Sequence, residues 1–107
     1  MRNYLKLLYG LFIVSFLAAC VNNITFDNQT SILLNVKAEM DAETILEQNL
    51  SPGEEVSVKT GKGNLKVTAT GTNYNTTLER TMSGSGTWLV EFDPEGAILW
   101  KRVASGY

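Results

Sequence analysis

Few side chains in this 107-residue chain are suited to catalysis. It has no histidine and a single cysteine, Cys20. Histidine is the commonest general base and metal ligand, so a histidine-dependent hydrolase triad is excluded within one chain. Glu91, Asp93 and Glu95 bring three carboxylates to the Asp93-Pro94-Glu95-Gly96 segment. Calcium takes about six to eight oxygens from a defined loop, and this is a fragment of such a set; it reads as a solvated hairpin turn. Glu54 and Glu55 are adjacent, and neighbouring residues of a strand point to opposite faces. Gly61-Lys62-Gly63 lacks the Gly-x-x-x-x-Gly-Lys-Ser/Thr spacing of a phosphate loop, so a hairpin turn is expected there. Asn23, Asn28, Asn49 and Asn75 each open an Asn-x-Ser/Thr triplet and read as turn and edge residues. No catalytic residue, metal site or cofactor is expected, and the chain reads as a non-enzyme.

The chemistry that remains belongs to Cys20. Arg2 and Lys6 form a short basic segment, and Leu7 to Ala19 is uncharged and mostly apolar. That length suits the apolar region of an export signal, about 7–15 residues, and is short of the roughly 20 needed to span a bilayer. The segment ends Leu17-Ala18-Ala19-Cys20 and turns polar at Asn22-Asn23. This resembles the lipobox of bacterial lipoproteins over residues 1–20. The resemblance implies cleavage between Ala19 and Cys20, lipid on the Cys20 thiol, and attachment to a membrane through two or three acyl chains. One acyl chain alone anchors only marginally. Val21 stands where such families carry an inner-membrane retention aspartate, so a Gram-negative source implies the outer membrane before the inner.

With residues 1–19 removed, 88 residues remain, which is one small domain. Without a second cysteine no disulfide can form within it, so packing and hydrogen bonds must hold it together. Seven Lys/Arg against eleven Asp/Glu leave a side-chain charge of −4. That argues against nucleic acid or anionic lipid as the main ligand.

The mature sequence reads as strands. Residues 24–26 alternate briefly before a turn at Asp27-Asn28-Gln29-Thr30. Ile32, Leu34, Val36 and Ala38 recur at the strand period of two. Residues 39–43 read as a turn and 44–50 as a weaker strand. Pro52-Gly53 suits the centre of a type II turn. Val56 and Val58 then alternate, as do Leu65, Val67 and Ala69, and the two runs are expected to form a hairpin across residues 60–64. Residues 74–82 form a further strand. Residues 88–92 and 97–103 form a last hairpin across Asp93-Pro94-Glu95-Gly96. Prolines and most glycines of the mature part fall between the runs, the pattern of an all-β fold. The expectation is a small antiparallel β-sandwich of seven or eight strands over residues 24–107, joined to Cys20 by a tether of Val21 to Asn23. Residues 28–69 resemble small Ig-like or PEGA-type surface modules, with an early strand after an Asn-x-Thr turn, then a Pro-Gly-Glu turn and a Gly-containing hairpin. The resemblance implies the same sandwich fold.

The last hairpin offers a candidate partner surface. Pairing Phe92 with Ala97 sets Trp88, Val90, Phe92, Ala97 and Leu99 on one face, toward the core. Leu89, Glu91, Ile98, Trp100 and Arg102 then form the outer face, with a Glu91–Arg102 ion pair. Trp and Arg are enriched at interaction hot spots, and an exposed apolar patch marks a partner surface. A one-residue slip would exchange the faces, and a bulge at Gly96 would cause one. The expected role is a membrane-anchored, non-enzymatic module of the cell envelope that binds or assembles with another envelope protein. The alternative is an inhibitor or phage-exclusion lipoprotein that inserts a loop, residues 83–86 or 71–76, into its target.

Overall fold

A computed structural model describes residues 21–103. The signal segment, the cleavage position and Cys20 lie outside the described residues, as do residues 104–107. The described chain is all β: β1 (Asn22–Asn28), β2 (Leu34–Met40), β3 (Glu43–Leu50), β4 (Glu55–Thr60), β5 (Gly63–Gly71), β6 (Tyr74–Met82), β7 (Gly86–Phe92) and β8 (Ile98–Arg102). They form two four-stranded sheets, ordered β4-β1-β7-β8 and β3-β2-β5-β6. β1 begins at Asn22, two residues before the expected start, because Asn22 and Asn23 already pair with Thr60 and Lys59 of β4.

The alternation read from sequence supplies the core. Ile24 and Phe26 of β1, Val90 and Phe92 of β7, Leu34, Val36 and Ala38 of β2, and Leu65, Val67 and Ala69 of β5 are fully buried between the sheets. Burying side chains of this size contributes roughly 1.5–3 kcal/mol each for the larger ones. Phe26 and Phe92, on adjacent strands, stack with ring centroids 6.2 Å apart.

Two expectations about pairing are corrected. β4 and β5 are not a hairpin. β4 pairs with β1, and β5 pairs with β2 and β6 in the opposite sheet. Gly61-Lys62 therefore arches from one sheet to the other. Alternation fixes which side of a strand is apolar but not which sheet the strand joins. The sheets are also not wholly antiparallel, since β1 runs parallel to β7 from Asn22↔Gly86 to Asn28↔Phe92. Parallel neighbours need a long connection, and here β2 to β6 provide it.

The turns follow backbone chemistry. Gly53 takes φ +80° and Glu54 N–H donates to the Ser51 carbonyl at 2.9 Å, the type II turn expected of Pro-Gly. Residues 39–43 are mostly strand, and the reversal is confined to Asp41 and Ala42, both at positive φ. That tip is fastened to β5: Asp41 N–H donates to Asn64 O at 2.9 Å, and Asp41 Oδ1 accepts from Asn64 N–H at 2.9 Å. Gly63, at φ +148°, is required there, because a Cβ would lie 2.5 Å from the Asp41 carboxylate.

Asn28 is the polar centre of the fold. Its side chain is fully buried, yet all its capacity is used. Nδ2 donates to Ile32 O at 2.8 Å and Leu50 O at 2.9 Å. Oδ1 accepts from Thr30 N–H at 2.9 Å and from the Thr30 hydroxyl at 2.6 Å. Asn28 N–H donates to Glu54 O, and Asn28 O accepts from Gly53 N–H. One residue thus fixes the end of β1, the approach to β2, the end of β3 and the 51–54 turn. Asn28→Ala leaves several buried partners unmet, at about 1–3 kcal/mol for each such group. We expect it to lower unfolding free energy by about 3 kcal/mol in urea titration, whereas Asn75→Ala, at an exposed position, stays within about 0.5 kcal/mol.

Tyr74 ties the sheets at the same end, along the β6 edge. Its hydroxyl donates to the Asp93 carbonyl at 3.0 Å, linking β6 to the β7–β8 turn. Burial, and secondarily the Asp93 charge, hold the phenol pKa above its ordinary value of 10.0. A raised phenol pKa favours the protonated, folded form. Its stabilisation is complete below the unfolded pKa and is lost as pH rises through the folded one. We expect wild-type stability to fall more steeply above pH ~10 than that of Tyr74→Phe, measured by urea titration at a series of alkaline pH values.

Candidate functional site

The β7–β8 hairpin carries the expected partner surface, and its register differs from expectation by one residue. Gly96 takes φ +93°, Gly96 N–H donates to Asp93 O at 3.0 Å, and Asp93 N–H donates to Ala97 O at 2.9 Å. This is a turn closed by a glycine bulge, and it adds one residue to the loop. Phe92 consequently pairs with Ile98, Val90 with Trp100 and Trp88 with Arg102.

That slip divides the expected surface. Ile98, Trp100 and Arg102 share the inward face with Trp88, Val90 and Phe92, and Ile98 and Trp100 pack against the core. Leu89 and Glu91 remain on the outer face, opposite Lys101 and Leu99. Glu91 forms its ion pair with Lys101 and not with Arg102. Leu99, assigned to the core by the sequence, is 42% exposed, and Ala97 lies exposed in the turn.

The inward residues near the open ends of β7 and β8 form the most distinctive side-chain cluster of the described chain. Trp88 and Trp100 lie 5.4 Å apart between centroids, tilted by 43°. The Arg102 guanidinium carbon sits 5.4 Å from the Trp88 ring, and that of Arg80, from β6 in the other sheet, sits 4.9 Å from the Trp100 ring. Cation–π contacts at exposed sites contribute about 0.5–1 kcal/mol. β6 and β8 are edge strands of opposite sheets, so the sandwich is open here, and long polar side chains can occupy the gap with their stems on apolar surface. Trp88 Nε1–H donates to Asn22 Oδ1 at 3.1 Å. Trp100 Nε1–H is buried with no acceptor among the described residues.

Beside this cluster is a cleft of about 250 Å³ lined by Arg80, Thr81, Met82, Ser83, Ser85, Trp88 and Arg102. Sequence reasoning placed Trp100 and Arg102 in a candidate surface but missed Arg80, which lies on a different strand and has no nearby motif to mark it. The carboxylates considered for metal or catalysis do not converge. Glu91 is bound to Lys101, and Asp93 Oδ1 faces the Glu95 N–H of its own turn. Gly61-Lys62 is an exposed inter-sheet arch. Of the four Asn-x-Ser/Thr asparagines, Asn28 is sealed in the core, while Asn49 and Asn75 are exposed strand residues.

The Glu91–Lys101 pair, on a partly exposed face, stabilises by less than about 1 kcal/mol. Double-mutant cycles read the register directly. We expect a coupling of about 0.5 kcal/mol for Glu91→Ala with Lys101→Ala and none for Glu91→Ala with Arg102→Ala.

No protein-family model matches the chain, and no curated protein matches it. A protein from Eubacterium rectale whose structure was determined by NMR is similar over 80% of this chain and 91% of its own, with 15% sequence identity and a TM-score of 0.46.

Proposed function

We propose that the chain is a lipid-anchored lipoprotein of the cell envelope, whose β-sandwich domain acts close to the bilayer as a non-enzymatic module that binds or assembles with another envelope protein. The observation that carries this reading is the Leu17-Ala18-Ala19-Cys20 motif after an uncharged apolar segment. The start of β1 at Asn22 adds to it. A lipid on Cys20 would be joined to the first strand by Val21 alone, so the domain could not move far from the membrane. The domain's partner would then lie at the membrane surface. An outer-membrane position follows from Val21 if the source is Gram-negative.

The partner surface in this reading is the outer face of the β7–β8 hairpin, with Leu89, Glu91, Leu99 and Lys101. It presents an exposed leucine, Leu99, beside the Glu91–Lys101 pair. Arg102, at the hairpin's end, is exposed but turns to the other side.

Two measurements test the reading. Wild-type protein should fractionate with membranes and carry a diacylglyceryl mass on Cys20, and Cys20→Ser should lose both. Photocrosslinkers placed at Leu99 in cells should capture one envelope protein, and crosslinkers at exposed Thr77 of β6 should not. Soluble wild-type protein with an unmodified cysteine would overturn the anchor. Recovery of lipid alone from Leu99 would overturn the protein-binding role.

A further inference from the structure

The cleft lies beside the point at which the proposed anchor enters the domain. Asn22 Nδ2–H donates to Gly84 O at 3.2 Å, and Asn22 Oδ1 accepts from Trp88 Nε1–H at 3.1 Å. Gly84 sits between Ser83 and Ser85, and Trp88 is itself a wall of the cleft. Asn22 is two residues from Cys20, a covalent reach of at most about 7 Å. Any lipid on Cys20 therefore emerges next to this cleft and far from the turns at the other end of the sandwich.

The cleft is cationic although the chain is acidic. Arg80 and Arg102 both line it, and among the described residues neither has a carboxylate within ion-pair distance. Glu79 and Glu91, their nearest acidic neighbours along the strands, belong to the opposite faces of β6 and β7 by strand alternation. The guanidiniums lie over the Trp100 and Trp88 rings, and both side chains are open to solvent. Arginine's planar fork suits phosphate oxygens, and charge-assisted bonds of this kind are stronger than neutral ones. The Ser83 and Ser85 hydroxyls, on the same wall, add donors. Trp100 Nε1–H, beside two of the lining residues, is a buried donor still without an acceptor.

We propose that this cleft binds the phosphate of an anionic phospholipid headgroup in the membrane to which the chain is tethered. The inference rests on the lipid-anchor reading for the source of the phosphate. Overall negative charge argues against long-range attraction to an anionic surface, but a tethered domain does not depend on it. The anchor holds the headgroups at high effective concentration, and only local chemistry then decides binding. Trp beside Arg is also the pairing that suits the boundary between headgroups and hydrocarbon. Headgroup binding orients the domain, with the β6–β8 opening toward the bilayer and the Asn28 end away from it.

Trp88 and Trp100 are the only tryptophans in the sequence and lie together at this cleft, so selectively excited tryptophan fluorescence reports on it. The test uses full-length protein in a neutral detergent, titrated with dihexanoyl-phosphatidylglycerol, with dihexanoyl-phosphatidylcholine and with inorganic phosphate. We expect a saturable fluorescence change with phosphatidylglycerol, weakened at least tenfold in Arg80→Gln and in Arg102→Gln. Lys59→Gln, an exposed cation removed from β4 at the other edge of that sheet, should leave it unchanged. Circular dichroism confirms that each variant is folded. An equal response to phosphatidylcholine, an unchanged response in the Arg80→Gln/Arg102→Gln double variant, or no response overturns the site. Saturation by inorganic phosphate at the same concentration overturns the lipid source. Intact mass of the same preparation separates the two readings. A diacylated Cys20 with a failed titration overturns the cleft proposal alone, and an unmodified Cys20 overturns the anchor and with it the lipid source.

Discussion

The sandwich depends on how β1 ends. β1 lies inside one sheet, between β4 and β7, and the chain must leave it for the opposite sheet within a few residues. A crossing so close to the core would strand backbone polar groups away from water, and buried polar groups need partners. Asn28 resolves this by placing an amide, which can give two hydrogens and accept two, where four such groups meet. The cost of burying that amide is offset because no part of it is left unbonded. The same contacts hold the sheets together at this end, where Phe26, Phe92 and Leu34 are fully buried. At the other end the buried Asn22 amide bonds only to Gly84 O and Trp88 Nε1–H, and among the described residues no such clamp closes the β6–β8 edge there. The gap between β6 and β8 is filled by indoles and guanidiniums instead, and a cleft remains.

Much of this was legible in the residues and some was not. The alternation Ile32-Leu34-Val36-Ala38 and Leu65-Val67-Ala69 specifies strands and their buried sides, and Pro52-Gly53 specifies its turn. These are local properties that depend on backbone conformation and side-chain period. Sheet membership is not local: Val56 and Val58 look the same whether β4 pairs with β5 or, as it does, with β1. The parallel pairing of β1 with β7 likewise has no signature in either strand. Asn28 was legible only as a turn residue, because its worth comes from carbonyls of Ile32 and Leu50 that the tertiary fold brings to it.

The last hairpin shows how a single residue decides a site. With Gly96 absorbed in a bulge, the set Leu89, Glu91, Ile98, Trp100 and Arg102 separates into two faces with different chemistry. The outer one is a leucine-bearing face with a closed Glu91–Lys101 pair. The inner one adds Trp100 and Arg102 to Trp88 and, across the sheets, Arg80. The sequence pointed to the right hairpin, but which side of it holds the arginine and the tryptophan followed from the loop. Net charge misleads in the same way, because an acidic total says nothing about two arginines held together at one edge.

The parallel partnership of β1 and β7 also constrains the order in which the molecule can be built. Ile24 lies beside Trp88 and Asn22 beside Gly86, positions separated by most of the chain. Pairings over such distances are slow to form, since chain entropy is lost before contacts repay it. β2–β3 and β5–β6 are pairs of sequence neighbours and can form early. β1 can pair with β4 beforehand, but its other side stays unpaired until β7 arrives. A chain cut after β6 would therefore keep only the β4–β1 pair of that sheet, and the last twenty or so residues decide whether the pair widens enough to cover the apolar side of the other sheet.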